Sequence, residues 1–143
     1  MNPALGGATF REFFGELIPF NRFLGIRIGG CEGGWGKLEL PFREEFIGDP
    51  FRPALHGGLV STLLDTCGGL AVFSGLEEPA RLSTIDLRID YLRPGGTDLL
   101  IAEARVVRVG NRVAVTDGFA YHPGHEKEPI ATAKAVYSVH RPT

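Results

Sequence analysis

Four residues in one short stretch have the types and spacing that carbonyl chemistry requires. His56, Gly57 and Gly58 are consecutive, and Asp65 follows seven positions after the second glycine. Free N–H groups at the start of a helix can donate to a carbonyl oxygen, and glycine leaves the approach open. A carboxylate can act on the neighbouring carbon as a base or as a nucleophile. The stretch therefore predicts a site that holds a carbonyl oxygen and attacks the carbon beside it.

The element that must position these residues is a buried helix predicted from His56 to Phe73. Its apolar residues recur at helical spacing, which is typical of a helix that packs on a core. A second stripe of small residues surrounds Asp65 and includes the adjacent pair Gly68 and Gly69. Each glycine inside a helix costs roughly 1 kcal/mol relative to alanine. Close packing on this stripe, by another backbone or by a ligand, is expected to compensate.

The rest of the chain predicts mostly strands. A short amphipathic helix is expected over Thr9–Asn21, with Thr9 and Glu12 as a capping box and Pro19 near its end. Alternating apolar residues then indicate strands. Their expected ranges are 23–32, 35–42, 82–92, 99–109, 112–122 and 130–140. One long helix on an antiparallel sheet of five or six strands is a two-layer α+β architecture. Residues 43–55 are expected to form a loop, and the long edge strands predict self-association.

Composition narrows the class of protein. The 143 residues suit one core, and we divide them into an N-terminal helical extension, 1–22, and a single domain, 23–143. A net charge of −2 argues against a nucleic-acid binder. No apolar run reaches the roughly 20 residues that a membrane-spanning helix needs, so no membrane span is predicted. The sequence MNPALGGATFREFF lacks the pattern of a secretory signal, so a cytoplasmic location is expected. Two cysteines without C-x-x-C spacing predict free thiols and no metal site.

Two segments resemble a known family. LHGGLVSTLLDTCGGLA, residues 55–71, and STIDLRIDYLRP, residues 83–94, are similar to the hotdog-fold acyl-CoA thioesterases. In particular, the two segments resemble the phenylacetic-acid-pathway type within the 4-hydroxybenzoyl-CoA thioesterase superfamily. The order of strands and helices agrees with that family over roughly residues 20–140. The resemblance implies a curved antiparallel sheet wrapped around one long central helix.

The resemblance also implies an activity: hydrolysis of an acyl-CoA thioester, with no cofactor besides the coenzyme A of the substrate. Asp65 is implied as general base or nucleophile, and the N–H groups of Gly57 and Gly58 as the groups that polarise the carbonyl. Asp65 lies about 12 Å from Gly57 along one helix, at 1.5 Å per residue. The family joins such half-sites across a dimer. A homodimer or a homotetramer is therefore expected, with an acyl-CoA as the small-molecule partner.

Further residues receive roles from the resemblance. Ser83 or Thr84 could orient the water or the carboxylate. His56 could contact the acyl thioester or cap the helix. Arginine suits the phosphates of coenzyme A, and the candidates are Arg81, Arg88 and Arg93. Many relatives carry an asparagine six residues before the histidine, where this chain has Pro50 beside Asp49. That difference places any help from this loop in question.

Two other functions fit the same fold. A hotdog hydratase or dehydratase acting on enoyl thioesters would pair a histidine with an acid, and only His56 and Asp65 could form that pair. Their helical separation disfavours such a pair within one subunit. A non-catalytic acyl-CoA-binding module would share the pocket and tolerate the loss of Asp65.

Overall fold

The central element of the computed structural model, which describes residues 9–78 and 80–141, is the helix α3, Gly57–Gly75. His56 is its N-cap, because the His56 side chain accepts a hydrogen bond from a backbone N–H of the first turn. Eight of its 19 residues are buried, including Leu63, Cys67 and Leu70. By length and composition alone α3 could cross a membrane, with a mean hydropathy of 1.3. Its apolar residues are instead the centre of the core.

Six strands form one antiparallel sheet against this helix. They are β1 (Arg27–Glu32), β2 (Trp35–Leu40), β5 (Arg81–Tyr91), β6 (Leu100–Val109), β7 (Val113–Tyr121) and β8 (Ala131–His140). A separate hairpin joins β3 (Ile47–Asp49) to β4 (Ala54–Leu55). The order across the large sheet is β1-β2-β6-β7-β8-β5, and α3 contacts all six strands. The predicted α+β architecture, a curved antiparallel sheet wrapped around one long helix, is confirmed.

The N-terminal region differs from its prediction in how it ends. The capping box forms, since Thr9 and Glu12 exchange two hydrogen bonds of 3.1 Å. The chain then passes from α1 (Phe10–Glu12) into a π-helical turn, Phe13–Leu17, and breaks at Ile18. Pro19 begins a further helix, α2 (Pro19–Leu24), because its fixed φ suits the first helical position. The strand predicted from residue 23 consequently begins at Arg27. Residues 1–8 of the predicted extension lie outside the described residues.

The segment predicted as a loop before α3 is more ordered than expected. It contains a 3-10 turn at Glu44–Phe46 and the hairpin of β3 and β4. The His56 N–H donates to the carbonyl of Phe46 at 2.8 Å, and the Leu55 N–H donates to Gly95 at 3.0 Å. Gly48 packs so closely that an added Cβ would lie 2.7 Å from the Cα of His56. These contacts fix the direction in which α3 starts.

A β-bulge in β5 changes which side chains face α3. The pairing of β5 with β8 shifts register between Thr84 and Asp86, so Ile85 is the extra residue. Strict alternation would place Thr84 on the face that carries Asp86. The bulge instead puts Thr84 opposite Tyr137, on the side of the sheet that covers α3. A side chain needed at the helix is thereby turned toward it.

Candidate active site

Asp65 lies in the middle of α3, half-buried, with its carboxylate facing β5. The hydroxyl of Thr84 donates to Oδ1 of Asp65 at 2.8 Å. This hydrogen bond depends on the bulge at Ile85, because the bulge turns Thr84 toward the helix. A hydrogen bond to an ionised acceptor is stronger than one between neutral groups, so it fixes the orientation of the carboxylate. Of the two residues predicted to orient Asp65, Thr84 is the one in contact.

Tyr137 on β8 contacts the backbone of the same helical turn from the sheet side. Its hydroxyl donates to the backbone carbonyl of Asp65 at 2.6 Å. Burial, followed by the negative charge of Asp65, raises the pKa of the Tyr137 phenol above its ordinary value of 10.0. The phenol therefore stays protonated and able to donate at neutral pH. Sequence reasoning missed this residue, although the inward alternation of Ala133, Ala135 and Tyr137 could have located it on the helix face.

The two adjacent glycines after Asp65 have different surroundings. A Cβ on Gly68 would overlap the hydroxyl of Tyr137 and lie 2.9 Å from its ring carbon Cζ. A Cβ on Gly69 would meet no heavy atom within 4 Å from the rest of the described chain, apart from the adjacent backbone of its own helix. Gly68 therefore permits the approach of Tyr137, whereas Gly69 borders open space. The predicted close packing on this stripe is found at the first glycine alone.

The open space beside Gly69 is a cavity of about 430 Å³ that Asp65 also lines. Ligand pockets commonly fall between roughly 300 and 1,000 Å³. Its lining is mostly apolar and is drawn from the N-terminal region, α3, β5 and β8. Arg81 and Ser83, two of the predicted substrate-binding residues, line it together with Thr84.

The start of α3 has a different character from its middle. His56 is exposed, and its Nδ1 accepts a hydrogen bond from the Gly58 N–H at 2.9 Å. The hydroxyl of Tyr91 donates to the carbonyl of Gly57 at 2.9 Å. The capping role considered for His56 is thus present in the structure. The Gly58 N–H already has an acceptor within the chain, and it can polarise a carbonyl only by exchanging that acceptor.

The two other candidate arginines lie away from Asp65. Arg88 is on the outer face of the sheet, where it pairs with Asp90 at 3.3 Å. Arg93, just beyond β5, pairs with Glu128 at 3.3 Å. Both pairs are exposed, so they contribute little stability and leave the guanidinium groups accessible.

Pro50 occupies the position where many relatives carry an asparagine, and the adjacent polar side chain is that of Asp49. Oδ1 of Asp49 accepts hydrogen bonds from the N–H groups of Phe51 at 3.1 Å and Arg52 at 3.3 Å. Asp49 therefore closes its own turn.

Among residues 9–78 and 80–141, no three histidine, cysteine or acidic side chains lie close enough together to hold a metal ion.

An antiparallel sheet wrapped around one long central helix is the hotdog class of folds. Residues 53–128 match the family model of the thioesterase superfamily, which is more than half of the chain. The chain belongs to the thioesterase superfamily, and its class of activity is thioester hydrolysis.

Individual relatives agree with this assignment. The medium/long-chain acyl-CoA thioesterase YigI of Escherichia coli K12 is 32% identical over 141 residues, covering 90% of each chain. A Shewanella oneidensis protein related to the thioesterase superfamily has a TM-score of 0.83 at 30% identity, covering 97% of this chain and 99% of its own. A phenylacetic acid degradation-related protein of Ralstonia eutropha has a TM-score of 0.75 at 27% identity, covering 85% and 90%. The resemblance drawn from residues 55–71 and 83–94 is confirmed.

Proposed function

We propose that this enzyme hydrolyses an acyl-CoA thioester to a carboxylic acid and free coenzyme A, with Asp65 at the reacting carbon. The observation that carries the proposal is the Asp65 carboxylate, which Thr84 holds at 2.8 Å and which lines a mostly apolar cavity. Such a site offers an oriented anion beside space for an acyl group. The name of the Escherichia coli relative supports acyl-CoA as the substrate class.

The chemistry needs one water and no external electron acceptor. As a general base, Asp65 takes a proton from water while the water oxygen bonds to the carbonyl carbon. As a nucleophile, Asp65 bonds to that carbon first, and water cleaves the resulting anhydride. In both cases the C–S bond breaks, and the thiolate leaves and takes up a proton. Thr84 engages Oδ1, so we assign the reaction to Oδ2.

The carbonyl oxygen needs donors that Asp65 cannot supply. Gly57 is the first residue of α3, and the N–H groups of a first helical turn have no partner within the helix. We assign the Gly57 N–H as the principal donor, with the Gly58 N–H joining when the His56 ring moves aside. The helix dipole adds to the stabilisation of the oxyanion.

We further propose that each complete site combines two subunits. Gly57 and Asp65 are eight residues apart on one helix, or about 12 Å, which is too far for both to act on one carbon. Strand β5 pairs with β8 on one side, and no described strand pairs with its other edge. Three large apolar side chains on or beside this edge strand, Ile85, Tyr91 and Leu92, are exposed. Such an edge favours pairing with a second copy, as a homodimer or as part of a homotetramer.

The hydratase alternative has less support from this geometry. His56 and Asp65 are nine residues apart on one rigid element, and the His56 ring caps that element through Gly58. The pair would again need two subunits, and it would also need the ring to leave its cap. Loss of the ultraviolet absorbance of an enoyl-CoA during incubation would nevertheless favour that reaction.

The test is release of thiol from a panel of acyl-CoAs, comparing the wild-type protein with Asp65→Asn. General acid–base groups contribute roughly 10²- to 10⁴-fold, so kcat is expected to fall by about 10³-fold. Asp86→Asn is the matched control, because Asp86 is an exposed carboxylate on the outer face of β5. Thermal unfolding checks that both variants fold. Full activity in Asp65→Asn would remove Asp65 from the mechanism.

A further inference from the structure

We propose that the cavity beside Asp65 receives an unbranched aliphatic acyl chain of about 8–12 carbons, and that Gly69 determines how far the chain enters. The inference rests on the proposed thioesterase function and adds the class of acyl group and the residue that selects it. The observation behind it is that residues on one face of α3, starting at Asp65, line the cavity one after another.

Three residues of that stripe line the cavity in succession: Asp65, Gly69 and Phe73. They are four residues apart, so they lie on the same face of α3. At 1.5 Å per residue, Gly69 is about 6 Å and Phe73 about 12 Å beyond Asp65. A chain that runs from the reacting carbon along the helix must therefore pass Gly69 before it reaches Phe73.

The far end of the cavity is a cluster of aromatic rings. Phe73 meets Phe13 and Phe14 edge to face, with ring centroids 6.1 and 5.8 Å apart. Phe13 and Phe14 also contact each other at 5.3 Å. Both belong to the π-helical turn, which places two consecutive rings against α3. The cluster forms an apolar floor that favours hydrocarbon over a charged or polar group.

Gly69 keeps the passage to this floor open. A Cβ there would project into empty space, whereas the neighbouring Gly68 is filled by Tyr137. A helical glycine costs roughly 1 kcal/mol relative to alanine. The packing of Tyr137 offsets that cost at Gly68, but within residues 9–78 and 80–141 no other element contacts the open side of Gly69. A ligand in the cavity accounts for the absence of a side chain at this position.

The length of the passage sets the length of the chain. A C–C bond of about 1.52 Å at a tetrahedral angle advances an extended chain by roughly 1.25 Å. The distance of about 12 Å from Asp65 to Phe73 then corresponds to roughly ten carbons. Medium-length chains fill the cavity to its floor, while shorter chains leave part of the apolar lining uncovered.

The experiment measures kcat/KM for butyryl-, octanoyl-, decanoyl- and palmitoyl-CoA, with phenylacetyl-CoA as the aryl probe. The wild-type protein is expected to prefer the octanoyl and decanoyl substrates. Gly69→Val places two methyl groups in the passage, and the ratio of decanoyl to butyryl kcat/KM should fall at least tenfold. Gly69→Ala should give a smaller fall, and Phe73→Leu should move the preference toward longer chains. The favourable helix propensity of alanine keeps Gly69→Ala folded.

A binding measurement separates this inference from the proposed reaction. Each acyl-CoA is titrated calorimetrically into the Asp65→Asn protein with and without Gly69→Val. The passage is supported if affinity depends on chain length and if Gly69→Val shifts the tightest binding to shorter acyl chains. This holds even if no thiol release is found in the wild-type protein. Thiol release with a chain-length profile that Gly69→Val leaves unchanged overturns the passage alone. An equal loss for every substrate would mean that the cavity holds the pantetheine arm, and a preference for phenylacetyl-CoA would replace the aliphatic chain by an aryl group.

Discussion

The start and the middle of α3 are built in different ways, although the proposed reaction needs both. At the start, the His56 ring takes the Gly58 N–H, a contact across two residues. In the middle, Asp65 is held by Thr84, which is 19 residues away, and by Tyr137, which is 72 residues away. The cap formed by His56 is thus local, although Tyr91, which is 34 residues away, also donates to the carbonyl of Gly57. The middle depends on side chains from β5 and β8, so changes in the two regions should have separable consequences.

The largest expected effect tests whether the two regions act across subunits. Gly57→Pro removes the N–H donor at the first helical position, where proline is tolerated. His56 already has φ −62° and ψ 130°, a conformation that a following proline accepts. Loss of one oxyanion donor should lower kcat by about 10²- to 10³-fold. Asp65→Asn should be at least as severe.

Mixing the two inactive proteins sharpens this comparison. After unfolding and refolding together in equal amounts, half of the dimers are hybrids, and one of the two sites in each hybrid is intact. About a quarter of the wild-type activity should return if sites are shared by a symmetric dimer. Gly57→Ala is the matched control, because it adds a Cβ beside Tyr91 but keeps the N–H. No recovery from the mixture would place both groups in one subunit.

The next largest effect is expected from the hydrogen bond between Thr84 and the Asp65 carboxylate. Thr84→Val removes the hydroxyl that donates to Oδ1 and keeps the shape of the side chain. A hydrogen bond to a charged group contributes about 1.5–3 kcal/mol, and 1.36 kcal/mol corresponds to a tenfold change in rate. We expect kcat to fall by at least about tenfold with little change in KM, since Thr84 positions the carboxylate. Thr84→Ser should recover most of the rate; equal loss in both variants would indicate a packing role.

The helix that carries the candidate catalytic residues could be predicted from the sequence because its signals are local. The His-Gly-Gly start, the helical spacing and the position of Asp65 can be read from 18 residues, and α3 forms there as predicted. The alternation of the later strands likewise located the sheet within a residue or two. The bulge at Ile85 could not be read in this way, because alternation continues through it in the sequence and the shift exists only in the pairing with β8. The N-terminal turn was misjudged for a related reason, since Pro19 suits either the end of a helix or the beginning of the next.

A smaller effect is expected at the helix start. His56→Ala removes the side chain that accepts the Gly58 N–H, and loss of an N-cap costs about 1 kcal/mol of unfolding free energy. His56→Asn provides another capping oxygen and should restore the stability in denaturant unfolding. If the ring also contacts substrate, Asn will restore stability but leave KM raised. Recovery of both quantities would limit His56 to capping.

An effect of similar size on stability at neutral pH is expected at Tyr137, and its pH dependence identifies the buried phenol. Tyr137→Phe removes the donor to the carbonyl of Asp65, at a cost of about 1 kcal/mol. Burial raises the pKa of this phenol in the folded protein above its ordinary 10.0, so the unfolded chain loses the proton first as the pH rises. The wild-type protein should therefore lose stability above pH 10 by up to about 1.36 kcal/mol per pH unit from this group, and Tyr137→Phe should not. Tyr121 also has a raised pKa, but it is present in both proteins and cancels in the difference. Urea unfolding at pH 8, 10 and 11 should show the gap between the two proteins closing, whereas a constant gap would mean that the phenol is not held in its protonated form by the fold.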